Sequence, residues 1–352
     1  MQNKGYPYIT EPDNAGNLFR EEYLAGLHKL IDRERMKADK ERVREVEKLL
    51  KDPEAGRQDF RHMMGWPLTE ERDKSIKPEV IKTPVIEKEG VMISRLQIEI
   101  FPDLYYYGIL FQSGPERKPL IISQHGGGGT PELCSGMLER GTVNYNDMTG
   151  RILQYDVHVF APQMLLWDPA QFQTQPVSDN MEDQRRNVDF KLKQLGGSIA
   201  AMELYCLQKS LDYLEKESFV EADKIGMIGL SYGGFYTLYM AALDTRIKSA
   251  LCSCFFRKKY TLEWPDFIWQ SGARTFMDAE TAMLVYPRKL NIQMGDHDEI
   301  FECKQSKEEM DRLKKYAAKT DADWLTLDIF DGEHEFWNSD APIERVVQDL
   351  NI

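Results

Sequence analysis

The chain has 352 residues, of which 42% are hydrophobic and 29% are charged, and its formal net charge is −13. This balance is typical of a globular protein with a sizeable core, and the acidic surplus disfavours nucleic acids and anionic membranes as partners. The sequence contains no run near the roughly 20 apolar residues that a membrane span needs. The polar N-terminal segment MQNKGYPYITEPDNAG lacks a signal-peptide pattern, so a cytoplasmic location is expected.

The cysteines are odd in number and scattered, which suits a reducing compartment. Cys252 and Cys254 alternate within an apolar run, which favours a core role on one face of a strand. No Cys/His set of zinc-binding spacing lies near them, so no metal is predicted, and no cofactor is predicted either. The five cysteines are Cys134, Cys206, Cys252, Cys254 and Cys303.

Residues 1–75 are predicted to form a helical extension, and residues 76–352 are predicted to form the main domain. Apolar residues from Leu24 to Leu50 recur every three or four positions among charged ones, which is typical of an amphipathic helix. We expect this extension to lie on the main domain. The alternative is an arm that joins two copies of the chain into a homo-oligomer.

From Val80 onward the pattern changes to short strands. The runs 91–101 and 105–112 predict an antiparallel pair with its turn at Pro102 and Asp103. Further along, apolar strands alternate with helical segments, which indicates a mostly parallel sheet with helices on both faces. The predicted strands are 119–124, 155–163, 224–230, 247–256, 289–296 and 324–330, and the predicted helices are 198–216, 232–244, 303–319 and 342–350.

The predicted fold class is therefore α/β, with an antiparallel edge on a mostly parallel sheet. In such sheets ligands bind at the carboxyl ends of the strands. Two insertions, near 165–197 and 255–285, emerge there and can roof a site. They carry Trp167, Trp264 and Trp269, which could stack on sugar rings or form an apolar acyl pocket; the alternative is that they only pack the insertions onto the main domain.

A serine stands at the junction between a predicted strand and a predicted helix. The sequence Gly229-Leu230-Ser231-Tyr232-Gly233 ends the strand 224–230, and its glycines allow a sharp turn. This is the pattern of a nucleophile elbow, which presents the serine hydroxyl clear of the backbone. Ser231 is therefore the candidate nucleophile, and a purely structural turn is the alternative.

A serine nucleophile needs a base, which is oriented in turn by an acid. Downstream of Ser231 the sequence contains two histidines, and His334 follows the last predicted strand, where the base is expected. The acid is expected after the preceding strand, in the segment "GDHDEIF". Asp298 is favoured over Asp296, because the acid usually lies a few residues into this loop.

An acyl-transfer intermediate carries an oxyanion that requires hydrogen-bond donors. The backbone N–H of Tyr232 is one candidate, and a second is expected from Gly126 or Gly127 in the run "HGGGG". His125, which precedes these glycines, is a further pocket candidate. The alternatives for this loop are a flexible turn and a phosphate-binding loop, but the Gly-Lys-[Ser/Thr] of a P-loop is absent.

Taken with these motifs, the sequence resembles α/β-hydrolases of the dienelactone-hydrolase superfamily, and within it acetyl-xylan-esterase-like proteins. The family pattern falls on Ser231, Asp298 and His334, and the resemblance extends from about residue 60 to the end. The similar stretches are 60–68, 229–256, 286–301 and 331–336.

The resemblance implies a serine carboxylic ester hydrolase that removes short acyl groups, such as acetyl, from a carbohydrate or another small ester. The Ser-Tyr-Gly-Gly sequence of the elbow also occurs in prolyl-oligopeptidase-type peptidases, so a serine oligopeptidase or aminopeptidase is an alternative. A non-catalytic protein of the same fold is another. The expected partner is a small-molecule or oligosaccharide ester.

Overall fold

The structure, a computed structural model, describes residues 12, 14–73, 75–138, 143–167, 181–320 and 322–351. Within these residues, the strands join into a single nine-stranded sheet. They are β1 (Val80–Lys88), β2 (Val91–Phe101), β3 (Leu104–Ser113), β4 (Lys118–Gln124), β5 (His158–Pro162), β6 (Val220–Leu230), β7 (Ile247–Ser253), β8 (Lys289–Gly295) and β9 (Leu325–Phe330).

The helices surround this sheet, and the order of the strands in it is β1-β2-β3-β5-β4-β6-β7-β8-β9. The helices are α1 (Asn17–Lys51), α2 (Pro53–Met64), α3 (Pro131–Cys134), α4 (Met148–Ile152), α5 (Met181–Gln194), α6 (Ile199–Leu214), α7 (Tyr232–Leu243), α8 (Gly272–Thr275), α9 (Asp278–Met283), α10 (Cys303–Ala317) and α11 (Ala341–Leu350). None of the helices in the described ranges is long and apolar enough to cross a membrane.

The sheet is parallel from β5 through β4 to β9, and antiparallel at the β1, β2 and β3 edge. Alternate residues of a strand point to opposite faces. Accordingly, Met227 of β6 joins a core cluster with residues of α6 and α7, whereas Ile228 joins a second cluster with residues of α4 and α11. The predicted α/β fold, with helices on both faces and an antiparallel edge, is confirmed.

Several elements of the structure were not predicted, among them α3 and α4, β1 and the helices of the two insertions. β1 was not predicted as a separate strand, because eight of its nine residues are exposed and it shows no alternation of buried and exposed positions. The insertions contain helices that the sequence pattern did not predict: α5 in the first, and α8 and α9 in the second. Residues 168–180 of the first insertion lie outside the described residues.

The N-terminal helix α1 contacts the main domain in only part of its length. The C-terminal half of α1 packs through Ala38, Arg42, Val46 and Leu49, which are all buried. From residue 17 to residue 33, by contrast, every residue except Leu27 is exposed. The extension therefore lies on the main domain from about Glu34 onward.

Ionisable side chains from three helices meet where α1 is anchored. The Arg42 Nε of α1 lies 3.2 Å from a carboxylate oxygen of the fully buried Glu280 of α9. Glu309 of α10 is also buried, and it accepts a hydrogen bond of 3.0 Å from the backbone N–H of Ala279. Burial, and then the nearby Glu280 carboxylate, raise the pKa of Glu309 to about 8.

We predict that Glu309→Gln changes the pH dependence of stability. A carboxyl whose pKa is raised on folding contributes stability below its unfolded pKa, and this contribution is lost as the pH rises through the folded pKa. The wild type should therefore lose unfolding free energy between about pH 5 and about pH 8, and the variant should lose less over this window.

Urea unfolding at a series of pH values measures this difference. Glu308→Gln is the matched control, because Glu308 is its neighbour on α10 and forms an exposed ion pair with Lys258. Parallel pH profiles for the wild type and Glu309→Gln would show that Glu309 does not titrate in this window.

Candidate active site

The turn between β6 and α7, residues 230–232, holds Ser231 in an uncommon backbone conformation. Its φ is 60° and its ψ is −122°, and its backbone N–H donates to the carbonyl oxygen of Ser253 at 2.9 Å. A Cβ on Gly233 would lie 2.1 Å from the carbonyl oxygen of Gln124, and one on Gly229 would lie 2.2 Å from that of Gly233. Only glycine fits at these two positions, so the backbone can turn sharply enough to present the Ser231 hydroxyl at the end of the sheet.

Asp298 lies in the loop after β8, and its carboxylate is held from both sides. One oxygen accepts the backbone N–H groups of Ile300 at 2.9 Å and Phe301 at 2.8 Å. The other lies 2.8 Å from Nδ1 of His334. The side chain is fully buried, so these hydrogen bonds fix the direction of the carboxylate and stabilise its charge.

His334 follows β9 and lies beside Asp298, as the sequence motifs predict. Asp296 instead accepts the backbone N–H of Gly332 at 3.2 Å and lies near the exposed His297. With Nδ1–H donating to Asp298, Nε2 of His334 is left as the acceptor for a proton. Within the described ranges, no hydrogen bond joins this nitrogen to Ser231 Oγ, although both residues line one cavity. Such contacts are often long in ligand-free enzymes and shorten when the substrate binds.

The glycine loop after β4 approaches Ser231 closely. A Cβ on Gly126 would lie 3.1 Å from the Cβ of Ser231. However, the Gly126 N–H donates to the hydroxyl of Tyr145 at 2.7 Å, and the Gly128 N–H donates to the carbonyl oxygen of Leu166 at 2.7 Å. Gly126 is therefore a poorer candidate for an oxyanion donor than the sequence suggested, and Gly127 is the better one. Tyr145, which sequence reasoning missed, orients this loop.

His125 is fully buried and does not line the cavity, so its assignment to the substrate pocket is wrong. Its Nδ1 lies 2.8 Å from the carbonyl oxygen of Gly126, and its Nε2 accepts the backbone N–H of Met164 at 3.1 Å. Burial lowers its pKa to about 4, so the ring is neutral near pH 7. His125 ties the glycine loop to the segment after β5.

The cavity around Ser231 and His334 has a volume of about 670 Å³. Of the three predicted pocket tryptophans, Trp264 lines it and stacks on Tyr232 with ring centroids 5.5 Å apart. Trp167 lines a separate, largely apolar cavity, and Trp269 packs against Phe235 in the core. These two tryptophans therefore do not belong to the pocket. The cavity is lined by Gly126, Gly127, Gly128, Asn144, Tyr145, Leu166, Arg185, Arg186, Ser231, Tyr232, Trp264, Pro265, Asp266, Ile300 and His334.

A buried arginine that the sequence did not single out forms one wall of this cavity. Arg185 of α5 donates to Asp266 at 2.7 Å, to Glu203 at 2.8 Å and to the Tyr236 hydroxyl at 2.8 Å. The Tyr232 hydroxyl donates to the same Asp266 at 3.1 Å. These bonds connect both insertions to α6 and α7. No local motif marks Arg185, because its partners are distant in the sequence.

Two groups of side chains in the described ranges place three metal-ligating atoms within 4.8 Å of one another. One comprises Cys254, Asp298 and His334, but burial raises the pKa of the Cys254 thiol to about 12, and a protonated thiol is a poor ligand. The other comprises the exposed residues Asp296, His297 and Asp331. Exposed groups of this kind are common on protein surfaces, so neither group carries an assignment.

No protein-family model matches the chain. One curated protein, Putative hydrolase YtaP from Bacillus subtilis (strain 168), is 33% identical over 120 residues. The match covers 32% of this chain and 40% of that protein, so it spans less than half the length of either.

Solved structures are similar to the chain over most of its length. A putative acetyl xylan esterase from Bacteroides fragilis NCTC 9343 has a TM-score of 0.61 and 15% identity, covering 82% of this chain and 76% of that one. A glucuronoyl esterase from Solibacter usitatus has a TM-score of 0.58 and 12% identity, covering 84% and 90%. The chain has the α/β-hydrolase fold. At these identities the likeness concerns the fold alone.

We predict that Arg185→Gln lowers the unfolding free energy by about 3 kcal/mol, because it leaves the Glu203 and Asp266 carboxylates buried without their cation. Arg186→Gln is the matched control. Arg186 also lines the cavity, but its ion pair with Asp183 is exposed and should contribute less than about 0.5 kcal/mol. Denaturant unfolding of both variants measures the difference. Equal losses of unfolding free energy would contradict the prediction that the buried ion pairs of Arg185 matter more than the exposed pair of Arg186.

Proposed function

We propose that this chain is a serine carboxylic ester hydrolase that acts through an acyl-enzyme and removes short acyl groups from a carbohydrate or another small ester. Membership of the dienelactone-hydrolase superfamily, which the sequence motifs suggest, is part of this proposal. The observation that carries it is the convergence of three strand-end loops. They bring Ser231, and His334 hydrogen-bonded to Asp298, to one cavity beside the glycine loop.

In the proposed reaction, His334 Nε2 takes the proton of Ser231 Oγ as this oxygen attacks the ester carbonyl carbon. Asp298 accepts the Nδ1–H bond of His334 and stabilises the imidazolium that forms. The tetrahedral intermediate collapses, and the alcohol leaves with the proton from His334. Water then attacks the acyl-enzyme, gives a proton to His334 and releases the acid, and Ser231 recovers its hydrogen.

The developing oxyanion needs donors that are already in place. The backbone N–H groups of Tyr232 and Gly127 are our candidates, since both residues line the cavity that Ser231 lines. Tyr232 is also the first residue of α7, whose N-terminal end favours negative charge. The loss of one such donor typically costs on the order of 3 kcal/mol of transition-state stabilisation.

The cavity favours a small and partly polar substrate. Its volume of about 670 Å³ lies within the roughly 300–1,000 Å³ that is usual for small-molecule sites. Trp264 offers a half-buried aromatic surface, while Asn144 and Arg186 provide polar groups. An acetylated sugar or short oligosaccharide combines the apolar ring face and the hydroxyl groups that such a wall can bind.

We predict that the protein hydrolyses p-nitrophenyl acetate faster than the butyrate and much faster than the octanoate, and that Ser231→Ala abolishes this activity. A fluorophosphonate should label the wild type and leave the variant unlabelled. The same assay includes an aminoacyl-p-nitroanilide and acetylated oligosaccharides. Cleavage of the anilide without hydrolysis of any ester would favour a peptidase instead, and the absence of both turnover and labelling would favour a non-catalytic protein.

We also predict that Asp298→Asn lowers kcat by roughly 10³- to 10⁴-fold, because the amide can donate to Nδ1 and thereby hold His334 in the wrong tautomer. Asp296→Asn serves as the matched control in the same loop, since Asp296 bonds to backbone rather than to His334. Its kcat should stay within a few-fold of the wild type. A larger loss of kcat in Asp296→Asn than in Asp298→Asn would contradict this prediction, because it would identify Asp296 as the acid.

A further inference from the structure

His334 lies in the loop between β9 and α11, residues 331–340, which we call the base loop. Its residues, all within the described ranges, form neither a strand nor a helix. Hydrogen bonds to other parts of the chain therefore fix the position of the imidazole. One of them is the bond of 3.2 Å that the Cys254 thiol donates to the carbonyl oxygen of Glu335. Three more come from one short segment, residues 144–146.

This segment, which we call the bridge, holds the base loop just after the histidine. The carbonyl oxygen of Asn144 accepts the backbone N–H of Phe336 at 2.7 Å. The side-chain amide of Asn146 donates to the Phe336 carbonyl oxygen and to a carboxylate oxygen of Glu335, both at 2.7 Å. Both partners of the amide are acceptors only, so its NH2 end faces them and each of its two hydrogens has an acceptor.

The bridge also holds the glycine loop. Tyr145 lies between the two asparagines and is buried, and its hydroxyl accepts the Gly126 N–H at 2.7 Å. Gly126 in turn lies against Ser231, since a Cβ there would be 3.1 Å from the serine Cβ. The bridge therefore joins the loop of the candidate base to the loop of the candidate oxyanion donors.

The backbone of the bridge suits an asparagine at position 146. Asn146 has a φ of 45°, and Asp147 after it has a φ of 51°, both in the left-handed region. After glycine, asparagine and aspartate adopt this conformation most readily. Asparagine therefore fits the turn and directs a donor at the base loop. Aspartate would fit the turn but direct a second carboxylate at Glu335, and glycine would fit the turn without any donor.

We propose that Asn146 is a positioning residue, which holds the base loop so that His334 Nε2 stays aligned with Ser231 Oγ and with the glycine loop. This inference rests on the proposed function, because it concerns the base of that reaction. Asn146 is not among the described residues that line the cavity. It therefore acts through His334, and the chemical step depends on it more than substrate binding does.

Steady-state kinetics with p-nitrophenyl acetate test this role in two variants. Asn146→Asp keeps the shape of the side chain but turns a carboxylate towards acceptors, and Asn146→Gly keeps the left-handed backbone but has no amide. Each should lower kcat at least about tenfold, because a catalytic group displaced by about 1 Å loses up to about 10²-fold in rate. KM should change by less than about threefold, since the wall of the cavity keeps its side chains.

Asp147→Asn is the matched control for the turn. Asp147 is exposed and adopts the same left-handed conformation, and within the described ranges no hydrogen bond joins its side chain to the base loop. Its replacement by the isosteric amide keeps this conformation, so the variant should keep the wild-type kcat. An equal loss of kcat in Asp147→Asn would attribute the effect to the turn itself and contradict a specific role of Asn146.

A second substitution separates positioning from a general loss of stability. When Glu335→Gln is added to Asn146→Asp, the new glutamine amide can donate to the new carboxylate, which restores the link between the bridge and the base loop in the reverse direction. The double variant should therefore have a higher kcat than Asn146→Asp, whereas two independent losses would give a lower one. Glu335→Gln alone should lower kcat less than Asn146→Asp does, because Asn146 can still donate to the glutamine oxygen.

Failure of this inference and failure of the proposed function give different results. If the wild type hydrolyses esters and both Asn146 variants keep its kcat, the positioning role is wrong. It is also wrong if Glu335→Gln does not relieve the loss in Asn146→Asp while circular dichroism shows folded proteins. If a fluorophosphonate labels the wild type but no ester is hydrolysed, the rate of Ser231 labelling replaces kcat, since it also requires the base. A wild type without turnover or labelling would contradict the proposed function, and the inference with it.

Discussion

The close contact between the end of β4 and the start of α7 is the constraint on which the site depends. Gly233 lies so near the carbonyl oxygen of Gln124 that a methyl group would overlap it. This contact forces the sharp turn that gives Ser231 its φ of 60°. It also brings the glycine loop after β4 against the serine. One steric requirement therefore places the hydroxyl and the candidate oxyanion donors together, while the parallel β8 and β9 deliver Asp298 and His334 to the same edge.

A second set of interactions holds the walls of the cavity. In the part of the insertions that the structure describes there is no strand of the sheet, and buried charges help to attach them, with Arg185 between Asp266 and Glu203. Such pairs are expensive to desolvate and contribute little net stability, but removing one partner leaves the other uncompensated. They therefore define the position of α5 and of the segment around Asp266 more than they strengthen the fold, and Trp264 is positioned beside them through its stack on Tyr232.

The sequence predicted those features that depend on local chemistry. Apolar runs and their alternation located β2 to β9, and the glycine-flanked serine, the loop aspartate and the last histidine were found from their order after the strands. It could not predict β1, whose residues are exposed on both faces, or Arg185 and Tyr145, whose roles arise from contacts across many residues. His125 looked like a pocket residue because of its neighbours, but its burial decides otherwise.

The candidate catalytic groups and the wall that would meet a substrate come from different parts of the chain. The candidate catalytic groups are set by backbone turns at the ends of central strands, where the packing of the sheet leaves little freedom. The wall that meets a substrate is built from side chains of the insertions, such as Trp264 and Arg186, which can change without disturbing the sheet. Proteins that share this fold can therefore differ in substrate while keeping the same arrangement of nucleophile, base and acid. In this chain, the size of the cavity and its mixed aromatic and polar wall are the reasons why we propose a small sugar ester rather than a long acyl chain as the substrate.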